Sequence, residues 1–330
     1  MTVKWGIIGC GDVVEHKSGP AFNKVSGSEL IAVMRRDAKK AKDFAQRHGV
    51  KKYYSDIDAL LKDDEINAVY IATPHYLHAQ HTIRAAKYGK HILCEKPMAL
   101  TVKECEEMIR ACEENDVQLM VAYYRRFFPV VEKIKELLRE GKIGRPITAR
   151  AQVFALYHLP AGESFPWRIN PQMAGGGFLT DVGSHRVDLL IYLLGKVREV
   201  AAFVDMVHFD FEIEDSSSLI MRFTNGAHGV ASFHWNIATA VDELEIAGTK
   251  GRILSTDLAS GDLKIYTDQG REKYRLSPPH ITHLGLVENF VRSIIAGKRN
   301  CLPGEEGLKT TKVLEAIYRS SKERKVVRVS

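Results

Sequence analysis

Short apolar segments alternate with amphipathic helical stretches through the first 125 residues of this 330-residue chain. Five segments have the length of strands and cover residues 3–8, 29–34, 68–72, 91–94 and 118–122. Between them, stretches such as 38–48, 76–88 and 102–115 place apolar residues three and four positions apart, the spacing of a helix with one buried face. Apolar strands separated by helices are covered on both faces. The pattern predicts an α/β domain built on a doubly wound parallel sheet.

A different pattern follows residue 125. After a charged amphipathic helix at 130–140, strand patterns separated in several places by glycine-containing turns occur at 147–156, 197–207, 217–223, 229–235, 242–248, 252–255 and 263–266. Helices are expected at 179–194, 281–296 and 305–323. We therefore predict a second α+β domain with a largely antiparallel, open sheet, and expect the domains to span residues 1–124 and 125–330.

Composition excludes several classes of protein. Hydrophobic residues make up 45% and charged residues 27% of the chain, as in ordinary folded proteins. The net charge of +6 indicates a solvated basic surface or anionic ligands such as phosphorylated cofactors. No Lys/Arg block resembles a nucleic-acid-binding arm, and no apolar segment is long enough to span a membrane. With an N-terminus too short and glycine-rich for a signal peptide, we expect a cytoplasmic protein that binds neither nucleic acid nor membrane.

The five cysteines form no CxxC pair and no zinc-binding spacing. Cys105 and Cys112 lie seven residues apart in a helical pattern, which predicts one face of a packed helix. We expect reduced, mostly buried thiols and no metal site.

A glycine-rich turn follows the first predicted strand. Gly9 and Gly11 match the first two positions of the dinucleotide-binding fingerprint, where glycine permits a tight turn and close approach to a pyrophosphate. Val14 stands at the third position, so we expect the first helix to start differently and to be interrupted at Gly19-Pro20. A bare GxG also occurs in plain strand–helix turns, but here it lies at the first βα junction of a parallel sheet. We predict cofactor contacts from Gly9, Gly11, Asp12 and Val13.

Two arginines end the second predicted strand, where an NAD site usually places an acid for the ribose 2′-hydroxyl. Arg35 and Arg36 suit a 2′-phosphate through charge-assisted hydrogen bonds and favour NADP over NAD. The alternative is that both arginines are solvated and Asp37 contacts the ribose.

The third predicted strand ends in Thr73-Pro74-His75, and strand ends of this kind face the ligand crevice. Thr73 and Pro74 are expected beside the nicotinamide ribose. His75 and His78 are further candidate cofactor contacts, although histidines on a helix surface or at a helix cap are commoner.

The fourth predicted strand ends in Cys94-Glu95-Lys96-Pro97. We place Glu95 and Lys96 at the cofactor, and Pro97 restricts the backbone of Lys96 to extended geometry. Partial burial beside other cations would suit Lys96 to proton transfer. Considered by itself, a solvated surface lysine remains the commoner case.

A second constellation begins with the glycine run Gly175-Gly176-Gly177. Three consecutive glycines predict close approach of the backbone to a ligand or to another domain. Asp181 and His185 follow four residues apart, which on a helix places both on one face, where a carboxylate can set the tautomer of an imidazole. The alternative is a capping or core aspartate beside a histidine whose hydrogen bonds are satisfied within the fold.

These motifs together resemble the glucose–fructose oxidoreductase / inositol dehydrogenase / MocA family of NAD(P)-dependent oxidoreductases. The similarity spans nearly the whole chain, through the GxG loop, Glu95-Lys96-Pro97, Tyr124-Arg125-Arg126-Phe127, Gly175-Gly176-Gly177 and Asp181-x-Gly183-x-His185. It implies an N-terminal Rossmann domain that binds NADP or NAD. It also implies a C-terminal domain that binds the substrate and builds a homodimer or homotetramer.

The resemblance implies hydride transfer between nicotinamide and a secondary alcohol or ketone of a sugar or cyclitol. Lys96 and His185 are then the candidates for proton transfer, with Asp181 as their partner. Four further residues in or before these motif segments are candidate substrate contacts: Tyr124, Arg125, Trp167 and Arg168. Two alternatives on the same fold are an NAD-dependent glycoside hydrolase that works through transient oxidation and a non-catalytic dinucleotide sensor.

Overall fold

The computed structural model describes residues 1–158 and 167–329 and divides them into two compact units. The first unit contains residues 1–124 and 280–308, and the second contains the described residues of 125–279 and 309–330. Residues 280–308 were expected in the second domain. In the structure this segment belongs to the first unit, where Phe290 lies against Trp5 with a ring-centroid distance of 5.9 Å.

The main secondary-structure elements agree closely with the sequence patterns. The helices are α1 (Ala38–His48), α2 (Ile57–Leu61), α3 (His78–Lys87), α4 (Val102–Glu114), α5 (Pro129–Arg139), α6 (Pro171–Ala174), α7 (Ser184–Leu194), α8 (Leu284–Ala296) and α9 (Gly304–Glu323). The strands are β1 (Val3–Ile8), β2 (Ser28–Met34), β3 (Lys52–Tyr54), β4 (Ala68–Ile71), β5 (His91–Cys94), β6 (Leu119–Val121), β7 (Pro146–Leu156), β8 (Val197–Asp205), β9 (Ser216–Phe223), β10 (His228–His234), β11 (Asn236–Gly248), β12 (Gly251–Ser255), β13 (Asp262–Thr267), β14 (Gly270–Arg275) and β15 (Val327–Arg328). None of the helices in the described ranges is both long enough and apolar enough to cross a membrane.

The first unit is built on a six-stranded sheet in the order β3-β2-β1-β4-β5-β6, and all its strand pairs are parallel. The prediction of a doubly wound parallel sheet is confirmed. Strand order reverses between β1 and β4, and in open sheets of this kind ligands bind at the carboxyl ends of the strands flanking that point. The buried rings of Trp5, Phe22 and Tyr70 pack in sequence against one another with centroid distances of 4.9 and 5.1 Å, and they anchor these central strands.

The second unit contains a nine-stranded sheet in the order β14-β13-β12-β11-β7-β10-β9-β8-β15. Its neighbouring strands are antiparallel except for β7 and β10, which run parallel. The prediction of a largely antiparallel sheet in a second α+β unit is therefore confirmed.

Two helices depart from the α-helical geometry expected of them. The helix after the glycine loop is a π-helix over Val14–Ser18 and changes to a 3-10 helix at Gly19–Ala21, which confirms the predicted interruption. The helix expected at 179–194 is a π-helix over Leu179–Gly183 and becomes the α-helix α7 only at Ser184. Single π turns of this kind are frequent at functional sites.

Candidate active site

The glycine loop closes the carboxyl end of β1. Gly9 has φ +95°, and a Cβ there would lie 2.9 Å from the backbone of Ala72 and from Cγ2 of Thr73. Gly9 is therefore required by the fold, because it lets the ends of β1 and β4 meet. At Gly11 a Cβ would meet no atom of residues 1–158 or 167–329 within 4 Å. The loop thus presents open space over backbone at the start of a helix, which suits a pyrophosphate group.

Arg35, at the carboxyl end of β2, reaches this loop. Its Nη1 donates a hydrogen bond to the carbonyl oxygen of Cys10 at 3.1 Å, while the neighbouring Arg36 is exposed. Asp37 instead caps α1, since its Oδ1 accepts the amides of Lys39 and Lys40 at 3.0 and 3.1 Å. The hydrogen bond from the Lys40 amide is the largest influence that lowers the pKa of Asp37. The geometry gives the Asp37 carboxylate a structural task and places the guanidinium of Arg35 at the loop.

His78 links two loop segments of the first unit. Its Nδ1 lies 2.9 Å from the carbonyl oxygen of Pro97 and its Nε2 lies 2.9 Å from that of Thr73. The ring is fully buried, and this burial lowers its pKa. Because both ring nitrogens face protein carbonyls, His78 holds the two segments in place, and its expected contact with the cofactor stays a prediction. Thr73 and Pro74 are half-buried at the end of β4, and His75 is buried with its ring 5.6 Å from that of His78.

Glu95, beside Lys96, lies in a buried network at the carboxyl end of β5. Its Oε1 accepts hydrogen bonds from the Tyr70 hydroxyl and from Nε2 of His283, the latter at 2.9 Å, and its Oε2 accepts the amide of Lys96 at 3.1 Å. Burial by itself would raise the pKa of Glu95. The hydrogen bond and charge of His283, with Tyr70 and Lys96, outweigh it and bring the pKa to about 2. The ring of Tyr124 lies 4.5 Å from that of His283.

The Lys96–Pro97 peptide bond is cis, and the Lys96 side chain is half-buried. Four candidate residues each follow the carboxyl end of a parallel strand of one sheet: Gly9 after β1, Arg35 after β2, Thr73 after β4 and Lys96 after β5. Such ends lie along the same edge of the sheet.

Asp181 lies in the π-helical turn of the second unit, and its partner is an arginine that the sequence analysis assigned to the substrate. Oδ2 of Asp181 is 3.9 Å from Nε of Arg168, whose guanidinium lies over the ring of Trp167 at 4.8 Å. Asp181 and His185 lie in one continuous helical stretch, but it is not a regular α-helix, because the chain changes from π to α geometry between them. His185 is buried in the first turn of α7.

A buried ion pair and a partly buried one hold α7. Nε and Nη2 of Arg126 donate to the Asp188 carboxylate at 2.9 and 2.7 Å, and Nε of Arg186 donates to Asp242 at 2.9 Å. Arg125 also faces Asp242, with Nη1 at 3.6 Å. These pairs fix α7, whose second residue is His185. Arg125, a predicted substrate contact, is engaged with a protein carboxylate.

The glycine run has a cause different from the one expected. A Cβ at Gly176 would overlap the Tyr318 hydroxyl, and one at Gly177 would overlap the backbone and carboxyl group of Glu214. At these two glycines the close approach is therefore to backbone and side-chain atoms of the same unit, which corrects the expectation of a ligand or another domain.

Sequence reasoning missed His283 and Glu214, whose partners lie 188 and 37 residues away respectively. The adjacent acids Glu214-Asp215 directly before an apolar strand are the one local signal, since paired acids there need partners. His283 carries no such signal.

Comparison with known proteins gives matches along most of the chain. Residues 3–123 match the NAD-binding Rossmann-fold domain of the GFO/IDH/MocA oxidoreductase family, and residues 131–254 match the GFO/IDH/MocA C-terminal domain. An oxidoreductase of Formosa agariphila is 36% identical over 317 residues, which is 96% of this chain and 98% of that protein. A 1,5-anhydro-D-fructose reductase of Ensifer adhaerens is 29% identical over 313 residues, 92% of each chain. The solved structure of a levoglucosan dehydrogenase in complex with NADH superposes with a TM-score of 0.91 at 25% identity, and the match covers all of both chains.

Proposed function

Because the chain belongs to the GFO/IDH/MocA family of NAD(P)-dependent oxidoreductases, we propose that it interconverts a secondary alcohol and a ketone on a sugar or cyclitol, with NADP as the favoured cofactor. The observation that carries the proposal is the common sheet edge of the first unit. There the glycine loop, Arg35, Thr73 and Lys96 follow successive parallel strands around the reversal of strand order. We also propose that it works in the cytoplasm, with its thiols reduced.

The glycine loop would hold the pyrophosphate, since the backbone at Gly11 is open and the amides at Asp12 and Val13 begin a helix. Thr73 and Pro74 would contact the nicotinamide ribose, with His75 behind them, and Glu95 and Lys96 would lie beside the ring. When bound, the nicotinamide supplies or accepts the hydride.

The proposed proton transfer uses Lys96 or His185. In the oxidation direction one of them removes the proton of the substrate hydroxyl, and in reduction it returns that proton to the carbonyl oxygen. Glu95 holds the backbone amide of Lys96. Asp181 is proposed to orient the proton-transfer group while its carboxylate is paired with Arg168. Tyr124, Arg125, Trp167 and Arg168 remain proposed substrate contacts.

Preference for NADP is supported by the ends of β2 and α1. Arg35 is already placed at the loop by its bond to Cys10, and Arg36 is exposed beside it. Asp37 is the alternative candidate for contacting the ribose 2′-hydroxyl of NAD, but one of its carboxylate oxygens already accepts hydrogen bonds from the amides that begin α1. Two guanidinium groups can each make charge-assisted bonds to a 2′-phosphate.

A homodimer or homotetramer is proposed on the exposed face of the nine-stranded sheet. Phe203, Ile220 and Val230 are 76, 57 and 45% exposed, and the last two are directly opposite each other in the β9–β10 pair. A second copy of this chain would cover these apolar side chains. Light scattering should then show an oligomer that Ile220→Ser weakens, and a wild-type monomer would contradict the proposal.

The cofactor part of the function is tested by titrating NADPH and NADH while following nicotinamide fluorescence. We expect NADPH to bind more tightly than NADH. If NADPH binds equally or more weakly, the assignment of Arg35 and Arg36 to the 2′-phosphate is wrong.

Substrates can then be screened by absorbance with 1,5-anhydro-D-fructose as ketone and levoglucosan as alcohol, the compounds named for two relatives. Net reduction or oxidation of added cofactor supports the proposal. Release of free sugar from glycosides without net cofactor turnover would indicate the hydrolase, and binding of dinucleotide without any turnover would indicate the sensor.

A further inference from the structure

One carboxylate outside the motifs holds the backbone of the glycine run. Glu214 directly precedes Asp215 and β9 and is 7% exposed. Its Oε2 accepts the amide of Gly177 at 2.8 Å, and its Oε1 accepts the amide of Leu179 at 3.1 Å. Its backbone carbonyl accepts the amide of Phe178 at 3.4 Å. A single residue therefore receives three consecutive amides at the start of the π-helical turn.

Tyr318, on α9, completes this arrangement. Its hydroxyl donates to Oε1 of Glu214 at 2.8 Å and lies 2.7 Å from Oγ1 of Thr180 in the same turn. Burial raises the pKa of Glu214, although the hydrogen bonds from Gly177 and Tyr318 act in the opposite direction.

The first amides of a helix have no partner within the helix, and the positive end of the helix dipole favours an anion. Phe178, at the N-cap position here, offers no side-chain acceptor. Glu214 supplies the missing acceptors from another segment of the same unit. The glycines make its approach possible, because a Cβ at Gly176 or Gly177 would overlap Tyr318 or Glu214.

The held segment leads directly to the proposed proton-transfer residues. The amide of Asp181 donates to the carbonyl oxygen of Gly177 at 2.9 Å, and the Ser184 hydroxyl donates to the carbonyl oxygen of Asp181 at 3.3 Å. His185 is the next residue. Each link in this chain of hydrogen bonds depends on the position of Gly177, which Glu214 fixes.

We propose that Glu214, supported by Tyr318, is a positioning residue that fixes the π-helical turn and thereby the orientation of Asp181 and His185. The inference rests on the proposed function of His185. Glu214 touches neither substrate nor cofactor in this role, and its effect is on the geometry of the groups that do.

The neighbouring acid provides a matched control. Asp215 accepts the amides of Val207, His208 and Phe209 at 2.9, 2.8 and 2.8 Å, so it also holds three consecutive amides. That loop carries none of the residues proposed for catalysis. Glu214→Gln and Asp215→Asn each exchange one carboxylate oxygen for an amide NH₂ that cannot accept a backbone N–H.

The first readout needs no substrate. In protein carrying isotope-labelled histidine, the ring signals of His185 are assigned by their loss in His185→Gln. These signals should shift or split in Glu214→Gln and, less strongly, in Tyr318→Phe, and should stay in place in Asp215→Asn. Unmoved His185 signals in both Glu214→Gln and Tyr318→Phe would overturn the inference, as would an equal shift in Asp215→Asn. If Glu214→Gln does not fold, the comparison of Tyr318→Phe with Asp215→Asn decides the result.

The second readout is turnover of the substrate found in the screen. Glu214→Gln should lower kcat about 10- to 100-fold with the KM for NADPH unchanged, while Asp215→Asn keeps the wild-type kcat. Equal kcat values in the two variants would overturn the inference. His185→Ala separates the two proposals: if it keeps turnover, the proposed role of His185 fails, and if it alone abolishes turnover, only the role of Glu214 fails.

Discussion

Replacing His283 with leucine should destabilise the first unit because it leaves the buried carboxylate of Glu95 without its main partner. The imidazole contributes a hydrogen bond of 2.9 Å and the largest favourable influence on the charged form of Glu95. Leucine has a similar volume but no donor. The Tyr70 hydroxyl and the charge of Lys96 remain, and they are the weaker influences on the pKa of Glu95. Removing one partner of a buried ion pair leaves the other charge buried and uncompensated, which destabilises the fold.

The magnitude follows from the pKa of Glu95. The depressed folded-state pKa contributes stability above the unfolded value of 4.5, and that contribution is lost as the pH falls through about 2. At 1.36 kcal/mol per pKa unit, the whole depression from 4.5 to about 2 corresponds to about 3 kcal/mol of unfolding free energy at about pH 6, and His283 supplies the largest influences that produce it. At about pH 3 the same linkage leaves about half of it.

Urea unfolding followed by tryptophan fluorescence can measure this difference. Trp5 is the one tryptophan of the first unit, so a Trp167→Phe/Trp235→Phe background makes the signal specific to that unit. The unfolding free energies with and without His283→Leu should differ by about 3 kcal/mol at about pH 6 and by about half as much or less at about pH 3.

Glu95→Gln provides the control, because without the carboxylate the effect of His283→Leu should lose its pH dependence. A difference that is the same at both pH values, or below about 1 kcal/mol at about pH 6, would refute the assignment of His283 as the partner that keeps Glu95 charged.

Lys96→Ala and His185→Ala should each abolish turnover while nucleotide affinity, measured by fluorescence titration, stays within several-fold; near-normal rates would remove that residue from the mechanism. Arg35→Asp should shift the ratio of NADPH to NADH affinity toward NADH by about 10- to 100-fold, since a charge-assisted bond is lost and a repulsive charge is added; an unchanged ratio contradicts the arginine assignment. Gly9→Ala should lower the thermal unfolding temperature, whereas Gly11→Ala should leave it unchanged and weaken nucleotide binding, because only the first Cβ meets protein atoms. A destabilised Gly11→Ala protein would mean that the space over that loop is filled.

The elements of both sheets could be predicted where the chain repeats a pattern over enough residues. β1, β5 and α1 have the predicted limits because each is bounded by a change of hydrophobic period or by a cap such as Asp37. β3 and α2 contain three and five residues, which is too few for a period to be recognised. The π turn before α7 was also out of reach, since π and α turns share their composition and differ in hydrogen bonding.

The candidate site divides along a similar line. Candidate residues that directly follow a strand end, such as Gly9 and Arg35, could be placed at the sheet edge from the sequence. The tasks of His78 and Glu95 could not, because they depend on carbonyl groups and a histidine brought close only by the fold. A histidine after a strand end predicts a ligand contact and a structural bridge equally well, and only its two hydrogen-bond partners distinguish them.

The glycine run Gly175-Gly176-Gly177 shows why a sequence motif can indicate a close contact without indicating the contacting group. A missing Cβ tells that something comes close to the backbone, but the approaching group can be a ligand, another copy or a distant side chain. At Gly177 that group is Glu214, whose backbone carbonyl comes closest and whose carboxylate accepts amides left open at the start of a helix. At Gly11 no atom of the described residues would lie within 4 Å of an added Cβ. The two glycine motifs therefore differ in the space they leave: the first leaves room that we propose a cofactor fills, and in the second Glu214 fills the space and is proposed to order Asp181 and His185.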